Sequence, residues 1–205
     1  MNQNTILIAV ITLLLGGIGG YLIADQDNCA MEGMGHSTVV TDDKEINTMP
    51  MGNMAGMDHG AMMVSSEREF VVGMIPHHQE AVDTAKEVLA RGGSNEQVVV
   101  LVNEIIAAQE TEIAMLKQWH EDWYGEVYVE NDSYQPMMRD LSGLSGAEID
   151  KQFIKDMIPH HMGAIMMAQS VRPYIEHQEI ADMADAVMET QTAEIKLMRD
   201  LLTKL

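Results

Sequence analysis

Apolar residues recur at helical spacing along four stretches in the last two thirds of the chain. Ser66 and Ser94 each begin a capping box, a third start signal lies at Ser145, and Pro173 stops the third stretch. The predicted helices cover about 66–91, 94–122, 145–172 and 176–205. No stretch alternates as a strand does, and a long connection at 123–144 joins two helix hairpins. The pattern therefore predicts an all-α four-helix bundle over 66–205.

The two hairpins are copies of one unit. The phrase Met-Ile-Pro-His-His occurs at 74–78 and again at 157–161, and Phe70 corresponds to Phe153 at the same offset. After a one-residue difference in the loop, the Gln-x-x-Glu-Ile pattern at 109–113 corresponds to that at 191–195. Since a repeat fixes an architecture, we predict tandem repeats at about 66–122 and 145–205.

An apolar segment and a linker precede the bundle. Residues 5–24 carry no charged side chain, and twenty helical residues span about 30 Å, enough to cross a bilayer. We expect 1–24 to be a membrane anchor or a signal peptide, and the missing basic residues before the apolar run favour the anchor. Either role places the bundle outside the cytoplasm. Residues 25–65, rich in Gly, Asp, Asn, Thr and Met, are predicted to be disordered.

The composition of the chain limits the classes of partner and ligand that the protein is expected to bind. With Lys+Arg 12 against Asp+Glu 32, the formal net charge of -20 excludes nucleic acid as an expected partner and favours cations. The single cysteine excludes an internal disulfide and a CxxC site. Methionine, with 20 residues, is far above average usage.

The methionines of the linker cannot be explained by packing, because the linker has no core. Thioether is a soft, uncharged ligand that suits Cu(I), and Ag(I) for the same reason. The candidate ligands of this segment are Met49, Met51, Met54, Met57, His59, Met62 and Met63. The alternative is drift of a low-complexity sequence.

The doubled phrase places histidines on the inward face of two helices. The candidate ligands there are Met74, His77, His78, Met157, His160 and His161. The inward polar residues of the other two helices are Gln109, Glu112, Gln191 and Glu194. Buried polar groups need partners, so we expect these four to meet the histidines. Two interpretations remain: a histidine–carboxylate network that fixes helix register, or a metal site whose rings these polar groups orient.

The two copies differ on one face. Gln79, Asp83 and Thr84 of the first copy correspond to Met162, Met166 and Met167 of the second. Polar counterparts indicate exposure, so these methionines predict a second soft-metal site near His160 and His161, which Met137 and Met138 could join. The alternative is a dimer contact, or packing under the connection.

The twin phrases and the Gln-x-x-Glu-Ile patterns resemble domain-of-unknown-function family 305 over about 66–203. The resemblance implies a ferritin-like four-helix bundle that is usually exported. It also implies copper binding through Met and His, since CopM-like members of that family bind copper and support copper tolerance outside the cytoplasm. The residues that match the family motif are Met74, His77, His78, Met157, His160 and His161.

The sequence therefore favours an extracytoplasmic, membrane-tethered protein that sequesters Cu(I) or transfers it to another copper-handling protein. An alternative is a ferritin-like di-metal oxidoreductase. Such sites use Glu-x-x-His, and no histidine of this chain has a glutamate three residues before it, so we do not expect an enzyme. A further alternative is a helical interaction module whose histidines only hold register.

Overall fold

The computed structural model describes residues 62–91, 93–130 and 134–205. These residues form four long helices, α1 (Glu67–Ala90), α2 (Glu96–Tyr124), α3 (Ala147–Val171) and α4 (Gln178–Leu202), with a 3-10 turn at Arg172–Tyr174 and no strand. Helix α1 packs against α2 and α3, and α3 against α4. The prediction of an all-α bundle of two helix hairpins is confirmed. The predicted anchor at 1–24 and the linker as far as 61 lie outside the described residues.

None of the helices that the structure describes is long and apolar enough to cross a bilayer.

Helix α1 starts as predicted. The Ser66 hydroxyl accepts a hydrogen bond from the Glu69 N–H (3.0 Å), and the Glu69 carboxylate accepts from the N–H and hydroxyl of Ser65 (2.8 and 2.7 Å). A side-chain acceptor at this position satisfies one of the free N–H groups of the first turn. The Val64 N–H also donates to the Ser170 hydroxyl at 3.0 Å, which fixes the chain before α1 onto α3.

The other helix starts differ from the prediction. Helix α2 is capped by Asn95 and not by Ser94, since the Asn95 side chain accepts from the N–H groups of Gln97 and Val98. The predicted Ser145 cap of α3 is wrong: the N-cap is Gly146, at φ 57°, and Ser145 contributes only its carbonyl. Helix α4 begins at Gln178, two residues after the expected Glu176.

Each hairpin holds the start of the other hairpin's second helix. Asp150 of α3 is fully buried and accepts from the Ser94 N–H and hydroxyl (2.8 and 3.0 Å) and the Asn95 N–H (2.9 Å). Its counterpart Glu67 of α1 accepts from the N–H groups of Glu176 and His177 (2.8 and 2.9 Å). The His177 ring also contacts Glu67, Nδ1 to Oε1 at 2.5 Å. Asp150 and Glu67 thus hold the residues just before α2 and α4 outside the helices. This explains why both helices start later than predicted.

Two apolar clusters form the core, and they follow the duplication. Phe70 and Met74 are fully buried in the first cluster, while their counterparts Phe153 and Met157 are fully buried in the second. Large buried side chains of this kind contribute about 1.5–3 kcal/mol each relative to exposure. The inward stripe predicted from the sequence is therefore the packing face of α1 and α3.

The connection between α2 and α3 is tied to α1 through Glu80. The Glu80 carboxylate accepts from the Tyr134 hydroxyl at 2.5 Å and from the N–H groups of Met137 and Met138 at 2.8 and 2.9 Å. Arg139 forms an ion pair with Asp156 of α3. These contacts hold the connection against α1 and α3, with the Met137 side chain close to Gly163.

Candidate metal centre

Four buried histidines lie at the contact of α1 with α3. His78, His160 and His161 are fully buried, and His77 is 1% exposed. They are buried because the repeated phrase places each pair on the packing face of its helix. The rings of His77 and His160, which are equivalent residues of the two copies, lie 3.8 Å apart between centroids.

The outer histidine of each pair has a carboxylate partner. The Nε2 atom of His78 lies 2.9 Å from Glu112 Oε2, and Nε2 of His161 lies 2.6 Å from Glu194 Oε2. The His161 contact is a hydrogen bond, whereas the His78 contact lacks the alignment of one, and neither ring nitrogen of His78 has a hydrogen-bond partner within the described residues. Both contacts link the two helices of one hairpin through a histidine and a carboxylate.

The inner histidines differ because the two copies differ at one position. His160 Nε2 lies 3.2 Å from Glu80 Oε2, a contact without the alignment of a directed hydrogen bond. The counterpart of Glu80 in the second copy is Gly163, so the equivalent carboxylate is missing for His77. Among the residues that the structure describes, neither ring nitrogen of His77 has a hydrogen-bond partner. An imidazole buried without a partner is unfavourable unless something else occupies its nitrogen.

Thioethers occupy the space that Gly163 leaves. A Cβ atom at Gly163 would lie 3.1 Å from His77 Nε2, 3.3 Å from Met62 Sδ and 3.4 Å from Met137 Cε, the methyl carbon bonded to the sulfur. One imidazole nitrogen and two thioether side chains therefore converge on one point. Neutral nitrogen and thioether sulfur are ligands that Cu(I) and Ag(I) accept and that hard cations disfavour.

This point borders an open cleft of about 520 Å³ between the chain before α1, helix α1 and the connection. Its walls include Met62, Gly73, His77, Tyr134, Gln135 and Met167. The Met167 sulfur lies 3.7 Å from where a Gly73 Cβ atom would be, so a third thioether faces the cleft. The cleft supplies the entry path that a metal site needs.

Burial keeps the His77 ring neutral. Desolvation lowers the pKa of His77 well below its ordinary value, and repulsion from His160, His78 and His161 lowers it further, while a backbone contact with His160, too poorly aligned to satisfy the ring, opposes this only in part. Burial also lowers the pKa of His160, although Glu80 opposes this. A neutral imidazole keeps a lone pair for a metal ion, which a protonated ring lacks.

Glu80 remains ionised although it is partly buried. Burial raises its pKa, but contacts with His160, Tyr134 and the Met138 N–H outweigh this and lower it. Burial and Glu80 raise the pKa of Tyr134, so its hydroxyl stays protonated and donates to Glu80. The carboxylate is thus engaged by four groups: the Tyr134 hydroxyl, the N–H groups of Met137 and Met138, and the His160 ring.

Several predicted ligands lie elsewhere in the structure. Met74 and Met157 are fully buried in the two apolar clusters, where their sulfurs contribute to packing. The expected exposure of the methionine face of α3 is wrong for Met167, which is 3% exposed because it packs in the first cluster. Met162 and Met166 are only partly exposed, and Met162 packs against the second cluster together with Met138.

The glutamines do not meet the histidines as expected. Gln109 and Gln191 are 2% and 3% exposed, and within the described part of the chain their side-chain oxygens have no hydrogen-bond partner. Glu80, which the sequence analysis did not assign to the site, takes the role expected of them. The sequence contained a signal for this, since Glu80 and Gly163 are one of the two pairs of positions just after the His-His phrase at which the copies differ.

The candidate ligands of the linker fall into two groups, those outside the described residues and those within them. Met49, Met51, Met54, Met57 and His59 lie outside the described residues. Met62 lies at the cleft, while Met63 is 60% exposed.

Across 62–91, 93–130 and 134–205, His, Cys, Asp and Glu side chains form no group of three or more that could hold a metal ion. The candidate centre therefore depends on thioethers.

The chain belongs to the family described as "Domain of unknown function (DUF305)", whose profile matches residues 24–120 and 67–202. Among solved structures it is similar to CopM in the Cu(I)-bound form, with 32% sequence identity over 69% of this chain and 98% of that chain, and a TM-score of 0.61. CopM has also been solved in Cu(II)-bound and Ag-bound forms.

A second similar structure is a putative secreted DUF305 protein from Streptomyces coelicolor. It is 26% identical over 66% of this chain and 90% of that chain, with a TM-score of 0.59. No curated protein sequence matches this chain.

Proposed function

We propose that the protein binds Cu(I) outside the cytoplasm, with His77 Nε2 and the thioethers of Met62 and Met137 as ligands. The observation that carries this proposal is the buried His77 ring, which lacks a hydrogen-bond partner among the described residues and faces two methionine side chains. CopM, a structural neighbour solved with Cu(I) and with Ag, supports the choice of metal. The apolar segment 5–24 and a neighbour named as secreted support the location.

The charge of the ligand set favours a monovalent ion. His77 is neutral and thioethers carry no charge, while the nearby Glu80 carboxylate is held by Tyr134 and backbone N–H groups. A neutral nitrogen–sulfur set offers little to a divalent hard cation, which prefers carboxylate and carbonyl oxygens. The site therefore selects Cu(I), with Ag(I) as its mimic.

The linker methionines supply ions to this site. Met57 precedes Met62 by five residues, so even a fully extended chain keeps it within roughly 18 Å. Weak thioether sites on the linker capture Cu(I) near the cleft, and His77 with Met62 retains it. The protein thus contributes to copper tolerance by sequestering Cu(I) or passing it to another copper-handling protein. It does so by binding, without catalysis.

Anaerobic competition of the full chain with a Cu(I) chelator tests the ligand set. We expect Met62→Leu to weaken the tightest site by about tenfold or more, equivalent to about 1.4 kcal/mol, because leucine keeps the apolar bulk and removes the sulfur. Met63→Leu is the matched control, since Met63 is the neighbouring residue and is exposed to solvent. Equal Cu(I) affinity for Met62→Leu and the wild type would remove Met62 from the site.

A further inference from the structure

A second polar cavity lies between α2 and α4, apart from the cleft at His77. It is lined by Ile105, Ala108, Gln109, Glu112, Thr190, Gln191 and Glu194. Its volume of about 10 Å³ is the space of about one water-sized sphere. Equivalent residues of the two copies line this one cavity: Gln109 and Gln191, and Glu112 and Glu194.

Two buried amide oxygens at this cavity have no partner. Gln109 Oε1 and Gln191 Oε1 receive no hydrogen bond from any residue the structure describes. The neighbouring Thr190 hydroxyl does not serve them, because it donates to the Ala186 carbonyl at 2.8 Å. An amide oxygen only accepts, so each one needs a donor or a cation. Two such oxygens at equivalent positions of the repeat indicate one shared occupant.

The cavity is also acidic. Glu112 and Glu194 each contact a histidine through Oε2, which leaves Oε1 of each carboxylate outside those contacts. Glu104 lies nearby on α2, where burial and the charge of Glu194 raise its pKa. The negative charges of Glu112 and Glu194 match a divalent cation.

We infer that this cavity is a second metal site, in which the two glutamine oxygens and the two glutamate carboxylates hold one hard divalent cation such as Mn²⁺, Mg²⁺ or Ca²⁺. Amide and carboxylate oxygens are the ligands these ions prefer, and the cavity has room for about one such ion. The bound ion joins α2 to α4, so it stabilises the contact between the two copies. The site shares no ligand with the proposed Cu(I) site.

Titration of the metal-free full chain with Mn²⁺, followed by electron paramagnetic resonance, tests the inference. We expect one saturable Mn²⁺ that Mg²⁺ or Ca²⁺ displaces. Gln109→Leu combined with Gln191→Leu is expected to weaken binding at least tenfold, since leucine removes both oxygens at similar volume. Gln118→Leu is the matched control, because Gln118 lies on α2 but is exposed. Cu(I) affinity is expected to stay unchanged in all three proteins.

Three results would overturn the inference. The first is the absence of saturable Mn²⁺ binding, which would mean that a bridging water fills the cavity. The second is equal Mn²⁺ binding by the double variant and the wild type, which would place the ion on the acidic surface. The third is loss of Mn²⁺ binding in Gln118→Leu. If the double variant does not fold, Gln191→Glu replaces it. The added carboxylate is expected to tighten Mn²⁺ binding, and unchanged or weaker binding would overturn the inference equally.

Discussion

At the residue scale, one difference between the two copies gives His77 surroundings unlike those of its counterpart His160. Glu80 contacts His160, whereas Gly163, at the equivalent position, leaves His77 without a carboxylate and with room for Met62 and Met137. A perfect repeat would have placed a carboxylate beside both inner histidines. Because Gly163 replaces a glutamate at this position, His77 has no carboxylate neighbour and becomes a candidate metal ligand.

Gly163→Ala tests that argument. The new Cβ atom would lie 3.1 Å from His77 Nε2 and 3.3 Å from Met62 Sδ, so it occupies the space between the ligands. Alanine favours the helix by about 1 kcal/mol over glycine, which offsets the crowding and keeps α3 folded. We expect Cu(I) affinity to fall at least tenfold in a competition titration.

The matched control is Gly73→Ala, another glycine inside a helix, where the nearest atom to the new Cβ is the Met167 sulfur at an ordinary 3.7 Å. It is expected to keep the wild-type Cu(I) affinity. Wild-type affinity in Gly163→Ala as well would show that Cu(I) does not lie between His77 and Met62.

The sequence predicted the burial of all four histidines, because helical period determines which face packs. It did not predict their partners. Glu112 and Glu194 were on the expected stripe, but the role given to Gln109 and Gln191 belongs to Glu80. A contact between two helices depends on their relative rotation and spacing, which periodicity within one helix leaves undetermined.

At the element scale, the two hairpins are locked by reciprocal contacts. Glu67 of α1 holds the start of α4, and Asp150 of α3 holds the start of α2, at positions that correspond in the repeat. A carboxylate at a helix N-terminus satisfies free N–H groups and interacts favourably with the helix dipole. Sequence analysis missed both contacts because they join residues 55 to 110 positions apart.

Asp150→Ala is therefore expected to destabilise the fold by roughly 2–3 kcal/mol, since it leaves the N–H groups of Ser94 and Asn95 without their buried acceptor. Glu67→Ala is expected to have an effect of similar size at the start of α4. Urea unfolding of the apo protein, followed by circular dichroism, measures both changes. Asp140→Ala is the control, because within the described part of the chain the hydrogen bonds of Asp140 stay inside its own exposed turn. A wild-type midpoint for Asp150→Ala would contradict the account of how the hairpins are joined.

At the scale of the whole molecule, the duplication accounts for the four-helix fold, and the differences between the two copies account for the candidate metal site. Repeat detection was sufficient to predict four helices and their pairing, because one helix hairpin alone cannot bury its apolar face. It could not show that Met62, at the end of the linker, reaches the bundle. The Val64 N–H bond to Ser170 fixes that position, and it joins residues 106 positions apart. The cleft thus lies where the methionine-rich linker meets the bundle.

The most direct test is Cu K-edge X-ray absorption of the protein loaded anaerobically with one equivalent of Cu(I). Cys29, His36, His59, Met63 and the methionines at 31–57 are first replaced, the methionines by leucine, so that these linker side chains cannot compete for the ion. The account predicts a Cu(I) edge and a mixed shell of one nitrogen and two or three sulfurs, the nitrogen disappearing in His77→Phe. A shell of nitrogen and oxygen alone, or an unchanged shell in His77→Phe, would contradict it.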